Sequence, residues 1–195
     1  GIALYGPRTM LVLTTGAGVD GFTLDRDVGN FVLTHPQLRI PAASDMLSIN
    51  AADAPHWPAP VKRYVEECVL GADGPRGHDF KMRWNASALV GAFRVLNCGG
   101  LFLVPDTGRA SGWLAPLPYN AAPLAFLAEQ AGGAATTGTT RVLEVVPASL
   151  EERVPFFFGS AAEVARLQGY VAEHEQGHDQ GFEHPLFNTR TLFAD

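Results

Sequence analysis

Apolar and polar positions alternate over short spans at the start of the chain. Residues 9–15, 21–24 and 30–34 read as three strands, separated by the turn clusters GAGVDG and DRDVG, and their close spacing predicts an antiparallel meander. The pattern then changes period. After a Pro- and Ala-rich stretch from Pro41 to Pro60, Val61, Tyr64, Val65, Cys68 and Val69 recur at helical spacing and stop at Gly71, which predicts an amphipathic helix. GADGPRGHD is a loop. ASALVGAFRVLNCGG reads as a mostly apolar helix closed by Gly99 and Gly100, followed at once by the strand LFLVP.

The second half repeats this helix-then-strand order. Asn120 is placed as the N-cap of a helix with Pro123 in its first turn, and Gly132 and Gly133 end it. RVLEVVP follows as a predicted strand, Ser149 to Arg153 as a short helix and PFFFG as another strand. Ser160 with Glu163 opens the last long helix as a capping pair. Helices alternating with strands predict an α/β fold, a mixed sheet flanked by helices. Residues 1–173 are read as one domain, and 174–195 as an extended polar tail.

Composition narrows the function classes. With 14 Lys+Arg against 20 Asp+Glu, the net charge of −6 offers no positive field for nucleic acid or an acidic membrane surface. The apolar runs, such as Thr9 to Thr15 and Val154 to Phe158, are far shorter than the roughly 20 residues of a membrane helix. Cys68 and Cys98 are too few for a disulfide framework, so buried free thiols and a cytoplasmic setting are expected. The opening GIALYGPRTM has neither a leader pattern nor an initiator Met, and reads as the start of a piece cut from something longer.

Two motifs carry chemistry in their letters. Gly16, Gly18 and Gly21 spell GxGxxG after a strand, but a dinucleotide-binding turn needs a helix next, and the alternating FTLDRDVGNFVL predicts a strand, hence a hairpin turn. His174, Glu175, His178, Gly181 and His184 match HExxHxxGxxH, the pattern of a zinc peptidase with three histidine ligands and a glutamate base. All three methionines, Met10, Met46 and Met82, lie upstream, so the Met-turn of such enzymes has no counterpart, and a His-rich surface tail is the preferred reading.

From Tyr5 onward the chain resembles the C-terminal half of class 1 fructose-1,6-bisphosphatase. YGPRTMLVLTTGAGVDGFTLD, HPQLRIP, SINAADAPHW, APVKRYVEE, GPRGHDFKMRW, CGGLFLVP, AFLAEQAGGAATTG, VPASLEERVPFFFGS and PLFNTRTLF carry the likeness. It implies a sugar-phosphate-binding α/β domain that normally follows an N-terminal half holding most metal ligands. It implies, too, a cytosolic homotetramer that uses magnesium to hydrolyse the 1-phosphate of fructose 1,6-bisphosphate in gluconeogenesis or the Calvin cycle.

Hydrolysis of a phosphate monoester calls for metal-holding carboxylates, and for cations and hydroxyls that grip the second phosphate. Carried over residue by residue, the resemblance assigns substrate contacts to Asn50, Arg83, Trp84 and Tyr119, with Trp84 replacing a tyrosine. Val104 replaces another tyrosine, WLAPLP between Trp113 and Pro118 contains neither of the family's cations, and Asn120 stands where a metal-binding Glu belongs. Gly91 and Phe93 replace an expected Asp and His. Each lost charge-assisted bond is worth roughly 1.5–3 kcal/mol, so retained architecture with impaired or absent turnover in isolation is expected. The alternatives are a non-catalytic sugar-phosphate-binding or assembly module that pairs with intact bisphosphatase subunits, and, remotely, the zinc metallopeptidase.

Overall fold

The computed structural model describes residues 1–109 and 112–178. Its first layer is an antiparallel meander of β1 (Ile2–Leu4), β2 (Met10–Leu13), β3 (Asp20–Asp25) and β4 (Asn30–His35), in that spatial order. Gly16 and Gly18 adopt φ of 97° and 100° in the β2–β3 turn, a conformation that glycine enters without steric cost. A strand follows that turn, as the alternation predicts, and the GxGxxG letters therefore form a hairpin.

The second layer is a five-stranded mixed sheet ordered β6-β5-β7-β11-β9. It comprises β5 (Met46–Ser48), β6 (Lys81–Met82), β7 (Leu101–Val104), β9 (Ala134–Thr136) and β11 (Phe156–Gly159). β5 runs parallel to both β6 and β7, whereas β11 is antiparallel to β7 and β9. β8 (Ala115–Pro116) and β10 (Arg153–Val154) pair separately.

Helices cover both faces of the mixed sheet. Phe102, Val104, Phe156 and Phe158 bury against α2 (Ala88–Cys98) and α3 (Ala122–Gln130), while Leu101, Leu103 and Phe157 bury against α1 (Ala59–Leu70) and α4 (Ala161–Glu175). Because both faces are dry, β7 and β11 read as unbroken apolar runs rather than alternating ones. The α2–β7 connection is two glycines long. Gly99 (φ 74°) caps α2 through its N–H to the Val95 carbonyl, and a Cβ on Gly100 would lie 2.5 Å from the Met46 carbonyl oxygen.

Five expectations need correction. Of the two thiols expected to be buried, Cys68 is, but Cys98, the last residue of α2, is exposed. RVLEVVP is not a strand: Arg141 forks onto Glu129 at 2.6 and 2.9 Å, Val142 is buried against α3, and the segment makes one 3-10 turn, Val142–Glu144. The helix expected over Ser149–Arg153 is a turn leading into β10, because Arg153 and Val154 pair with Pro116 and Ala115. Ser160 precedes α4 without capping it, since its hydroxyl accepts the Gly100 N–H at 3.0 Å; Glu163 is committed to Arg76 and Tyr64. Asn120 is no N-cap either. It lies inside a π-helical turn, Leu117–Ala121, that runs on into α3.

Candidate functional site

Parallel strands bring their carboxyl ends, and the loops that leave them, to one edge of a sheet, and that edge is where α/β proteins place ligands. Here β5 and β7 deliver Ile49-Asn50 and Val104-Pro105 side by side. Asn50 starts the 3-10 turn Ala51–His56: its Oδ1 accepts the Ala52 N–H at 3.3 Å, and its Nδ2 donates to Asp53 Oδ2 at 2.7 Å. The turn ends at Trp57. On the other side, Arg83 N–H donates to the Leu47 carbonyl at 2.9 Å, which extends the β6 edge and sets Trp84 above the sheet, its ring 5.8 Å from that of Phe102 and inclined by 23°.

These loops enclose a cavity of about 350 Å³, within the size range of small-molecule sites. All three tryptophans of the chain, Trp57, Trp84 and Trp113, line it. Its lining residues with polar side-chain atoms are Asn50, Asp53, Thr107 and the three tryptophans. Trp57 Nε1 and Thr107 Oγ1 are buried, with no hydrogen-bond partner among the described residues. Among the described residues Asp53 is the one ionisable lining residue, and Arg109 Nη1 stands 3.8 Å from its Oδ1 in a half-exposed pair.

The residues singled out from the sequence divide between this cavity and places outside its lining. Asn50, Trp84 and Val104 line it. Arg83 does not: it is exposed and donates from Nη1 to the Met82 carbonyl at 3.0 Å. Tyr119 is 63% exposed and is likewise absent from the wall. Asn120 holds its Oδ1 buried and unpartnered in the π-helical turn. The cation-free WLAPLP segment has a structural use, because Ala115 and Leu117 sit in the core at 0% and 1% exposure. Gly91, too, is fixed by packing, since a Cβ there would come within 2.4 Å of the Phe102 ring.

Asp53, Trp57, Thr107 and Trp113 were not among the residues the sequence singled out. Their only local signal is that the three indoles fall in non-periodic segments beside Pro, Asn or Gly: HWP, RWN and GWL.

Magnesium binds through carboxylates supplemented by water and phosphate oxygens. Among the described residues no group of three or more His, Cys, Asp or Glu comes together. Asn120 offers one neutral oxygen, and Asp53 is already engaged by Asn50 and faced by Arg109. The described residues of this chain therefore do not by themselves fit a magnesium site. Of the HExxH letters, His174 and Glu175 end α4 and His178 N–H bonds the Glu173 carbonyl; Gly181 and His184 lie outside the described residues.

Comparison with known proteins agrees with this architecture. Residues 40–172 match the family model "Fructose-1-6-bisphosphatase, C-terminal domain", and residues 1–36, the meander, match "Fructose-1-6-bisphosphatase, N-terminal domain". A class 1 fructose-1,6-bisphosphatase of Methylacidiphilum infernorum (isolate V4) is 49% identical over 198 residues, an alignment covering 100% of this chain and 55% of that protein. Crystal structures of Leishmania major fructose-1,6-bisphosphatase are also similar. The holo form superposes with a TM-score of 0.79 at 38% identity over 86% of this chain and 51% of that one. The apo form gives 0.80 at 37% identity over 87% and 53%. The chain thus spans about half the length of the relatives it matches. With more than half of its residues accounted for by the C-terminal domain model and a 49% identical relative along its whole length, the chain belongs to the fructose-1,6-bisphosphatase family.

Proposed function

We propose that residues 1–173 form the sugar-phosphate-handling part of a hydrolase that converts fructose 1,6-bisphosphate to fructose 6-phosphate in cytoplasmic carbohydrate metabolism. We further propose that this chain alone is impaired or inactive. Family membership supports the reaction class. The observation that carries the impairment is the cavity wall: an apolar surface of three indoles, with one carboxylate and, among the described residues, no lysine or arginine. Asn50 and Trp84 are the contacts proposed to orient ligand there. Asn120 offers an amide where resemblance assigns a carboxylate, so the magnesium the family uses has to find its ligands elsewhere. The test is phosphate release from fructose 1,6-bisphosphate with magnesium, for this chain alone and mixed with a catalytic N-terminal half. Turnover at or below about 1% of an intact bisphosphatase is expected, the loss of about 2.7 kcal/mol or more of transition-state binding. Brisk saturable turnover by the chain alone overturns the reading.

A second reading, assembly with further bisphosphatase subunits into a homo-oligomer or mixed oligomer, draws on two exposed features. Phe31, Val32 and Leu33 of the edge strand β4 are each 45–49% exposed, and such an edge is a ready pairing surface. Arg83 is exposed and absent from its own cavity wall, free to serve a neighbour's site. Co-purification with an intact bisphosphatase at micromolar concentration supports this reading, and its absence counts against it.

A further inference from the structure

Trp84 stands in the cavity wall with 41% of its surface exposed, and a side chain so placed ordinarily samples several rotamers. This one is stacked. Its ring lies 5.8 Å from that of Phe102, inclined by 23°; Phe102 lies 5.3 Å from Phe158, and Phe158 stacks on Phe156 at 4.8 Å and 19°. The three phenylalanines are fully buried, and Phe102 and Phe158 are direct partners across the β7–β11 pair. An aromatic column therefore runs from the dry interior of the sheet out to the cavity wall, with Trp84 as its exposed end.

The column fits because α2 leaves room for it. A Cβ on Gly91 would lie 2.4 Å from Cε2 and 2.5 Å from Cδ2 of Phe102, so a larger residue there has to displace that ring. Phe158, buried in the core, offers the ring no space, whereas Trp84, partly exposed, can yield. Strain at Gly91 is thus relieved outward, through Phe102 onto Trp84. Residues 84 and 91 are also two positions where the chain departs from what resemblance leads one to expect, Trp for Tyr and Gly for Asp. The structure joins the two departures through one ring: glycine admits Phe102, and Phe102 gives the wider indole a face to stack on.

We infer that Phe102 is the positioning residue of Trp84 and that Gly91 sets its place, so that two residues outside the cavity lining fix the orientation of an indole within it. They act through Trp84, which enters binding already ordered and spares the entropy of immobilising a free side chain. The inference rests on the proposal that Trp84 orients ligand, and adds what orients Trp84.

The full chain is labelled with 5-fluorotryptophan, which gives one fluorine resonance for each of its three indoles, assigned by replacing them with phenylalanine one at a time. Gly91→Ala and Phe102→Leu are each expected to shift the Trp84 resonance and leave those of Trp57 and Trp113 in place, whereas a general loosening of the fold would move all three. In the Phe102→Leu background, adding Gly91→Ala shifts Trp84 no further, because the ring that carries the displacement is gone. A second measurement leaves Phe102 intact. Trp84→Leu alters a partly exposed position, and in that background Gly91→Ala should lower the melting temperature by about half as much as in the parent chain, since Phe102 can then move outward. Titration with fructose 6-phosphate, followed on the same resonances, should reach half-saturation at a concentration about three- to ten-fold higher in Phe102→Leu than in the parent. A Trp84 resonance that stays in place in both single variants, three resonances that move together, additive shifts in the double variant, equal melting shifts in the two backgrounds, or an unchanged half-saturation in a chain that binds overturns the inference. A parent chain whose Trp84 resonance ignores fructose 6-phosphate overturns the reading of Trp84 as a ligand contact alone, and the variants still decide what holds it.

Discussion

Arg76 holds Glu163 with one nitrogen, Nη2 lying 2.7 Å from both carboxylate oxygens, and the two side chains are only 4% and 5% exposed. Tyr64 donates to the same carboxylate at 2.7 Å, so the pair ties the loop after α1 to the first turn of α4 beneath a closed hydrophobic layer. Burial disfavours the Arg76 charge, but the bond to Glu163 outweighs it and keeps the guanidinium pKa above its ordinary value. Removing one member strands the other. Arg76→Ala is expected to cost about 3–5 kcal/mol, and the double change Arg76→Met with Glu163→Leu distinctly less, because no uncompensated charge stays buried. Urea unfolding followed by tryptophan emission measures both; equal losses would show that the pair is not the source of the cost.

Cys68 shares that layer. Burial is the main cause that pushes its thiol up to about 12 from 9.0, and Tyr64, buried in the same cluster, is also raised above its ordinary value. Both groups are neutral when protonated and have folded pKa values above their unfolded ones. Their contribution to stability is complete below pH 9 and declines as pH climbs from about 9 toward 12. The urea midpoint should therefore fall through that window, with a shallower fall in Cys68→Ala. Alkylation by iodoacetamide at pH 8 should label exposed Cys98 and spare Cys68, as read by peptide mass.

Gly91 faces the ring of Phe102, which is fully buried between Trp84 and Phe158. Alanine normally strengthens a helix by about 1 kcal/mol over glycine, but here its Cβ would sit 2.4 Å from a ring atom. The overpacking term of about 1–3 kcal/mol wins, and Gly91→Ala lowers the melting temperature. Gly91→Asp, the residue that resemblance leads one to expect, lowers it further by adding a charge at that contact. Calorimetry decides, and a rise in either variant would refute the packing argument.

What was legible in the sequence depended on how local its cause was. LFLV and PFFFG announced themselves because strands covered on both faces need no polar alternation, and the glycines at 99 and 100 marked where one had to begin. β5 was hidden inside a Pro- and Ala-rich stretch, since three residues carry no period and Met46–Ser48 becomes a strand only by lying between β6 and β7. RVLEVVP misled in the opposite sense: its side chains suit a strand, but the Arg141–Glu129 fork and the burial of Val142 turn it across α3. In the cavity, resemblance reached Asn50 and Trp84, while Trp57 comes from the β5–α1 connection and Thr107 and Trp113 from the β7–β8 connection, two loops that meet through sheet topology.

Asn120 illustrates the same dependence and yields the last prediction. For Asn120 to cap α3, its side chain would have to accept the N–H of residue 122 or 123. The Ala122 N–H is already bonded to the Leu117 carbonyl in the π-helical turn, and Pro123 has none. Its Oδ1 accordingly lies buried and unpartnered. Losing a true cap costs about 1 kcal/mol, whereas deleting an unsatisfied buried acceptor within a helical turn is neutral or gains up to about 1 kcal/mol, helped by the higher helix propensity of alanine. Asn120→Ala should therefore leave the unfolding free energy unchanged or raised. Asn120→Asp places a carboxylate at the buried position, where desolvation raises its pKa above the unfolded value; its charged form destabilises the fold at pH 7, and lowering the pH toward 4 restores stability relative to the parent chain. A loss near 1 kcal/mol in Asn120→Ala, with no pH-dependent recovery in Asn120→Asp, would return this residue to the capping role.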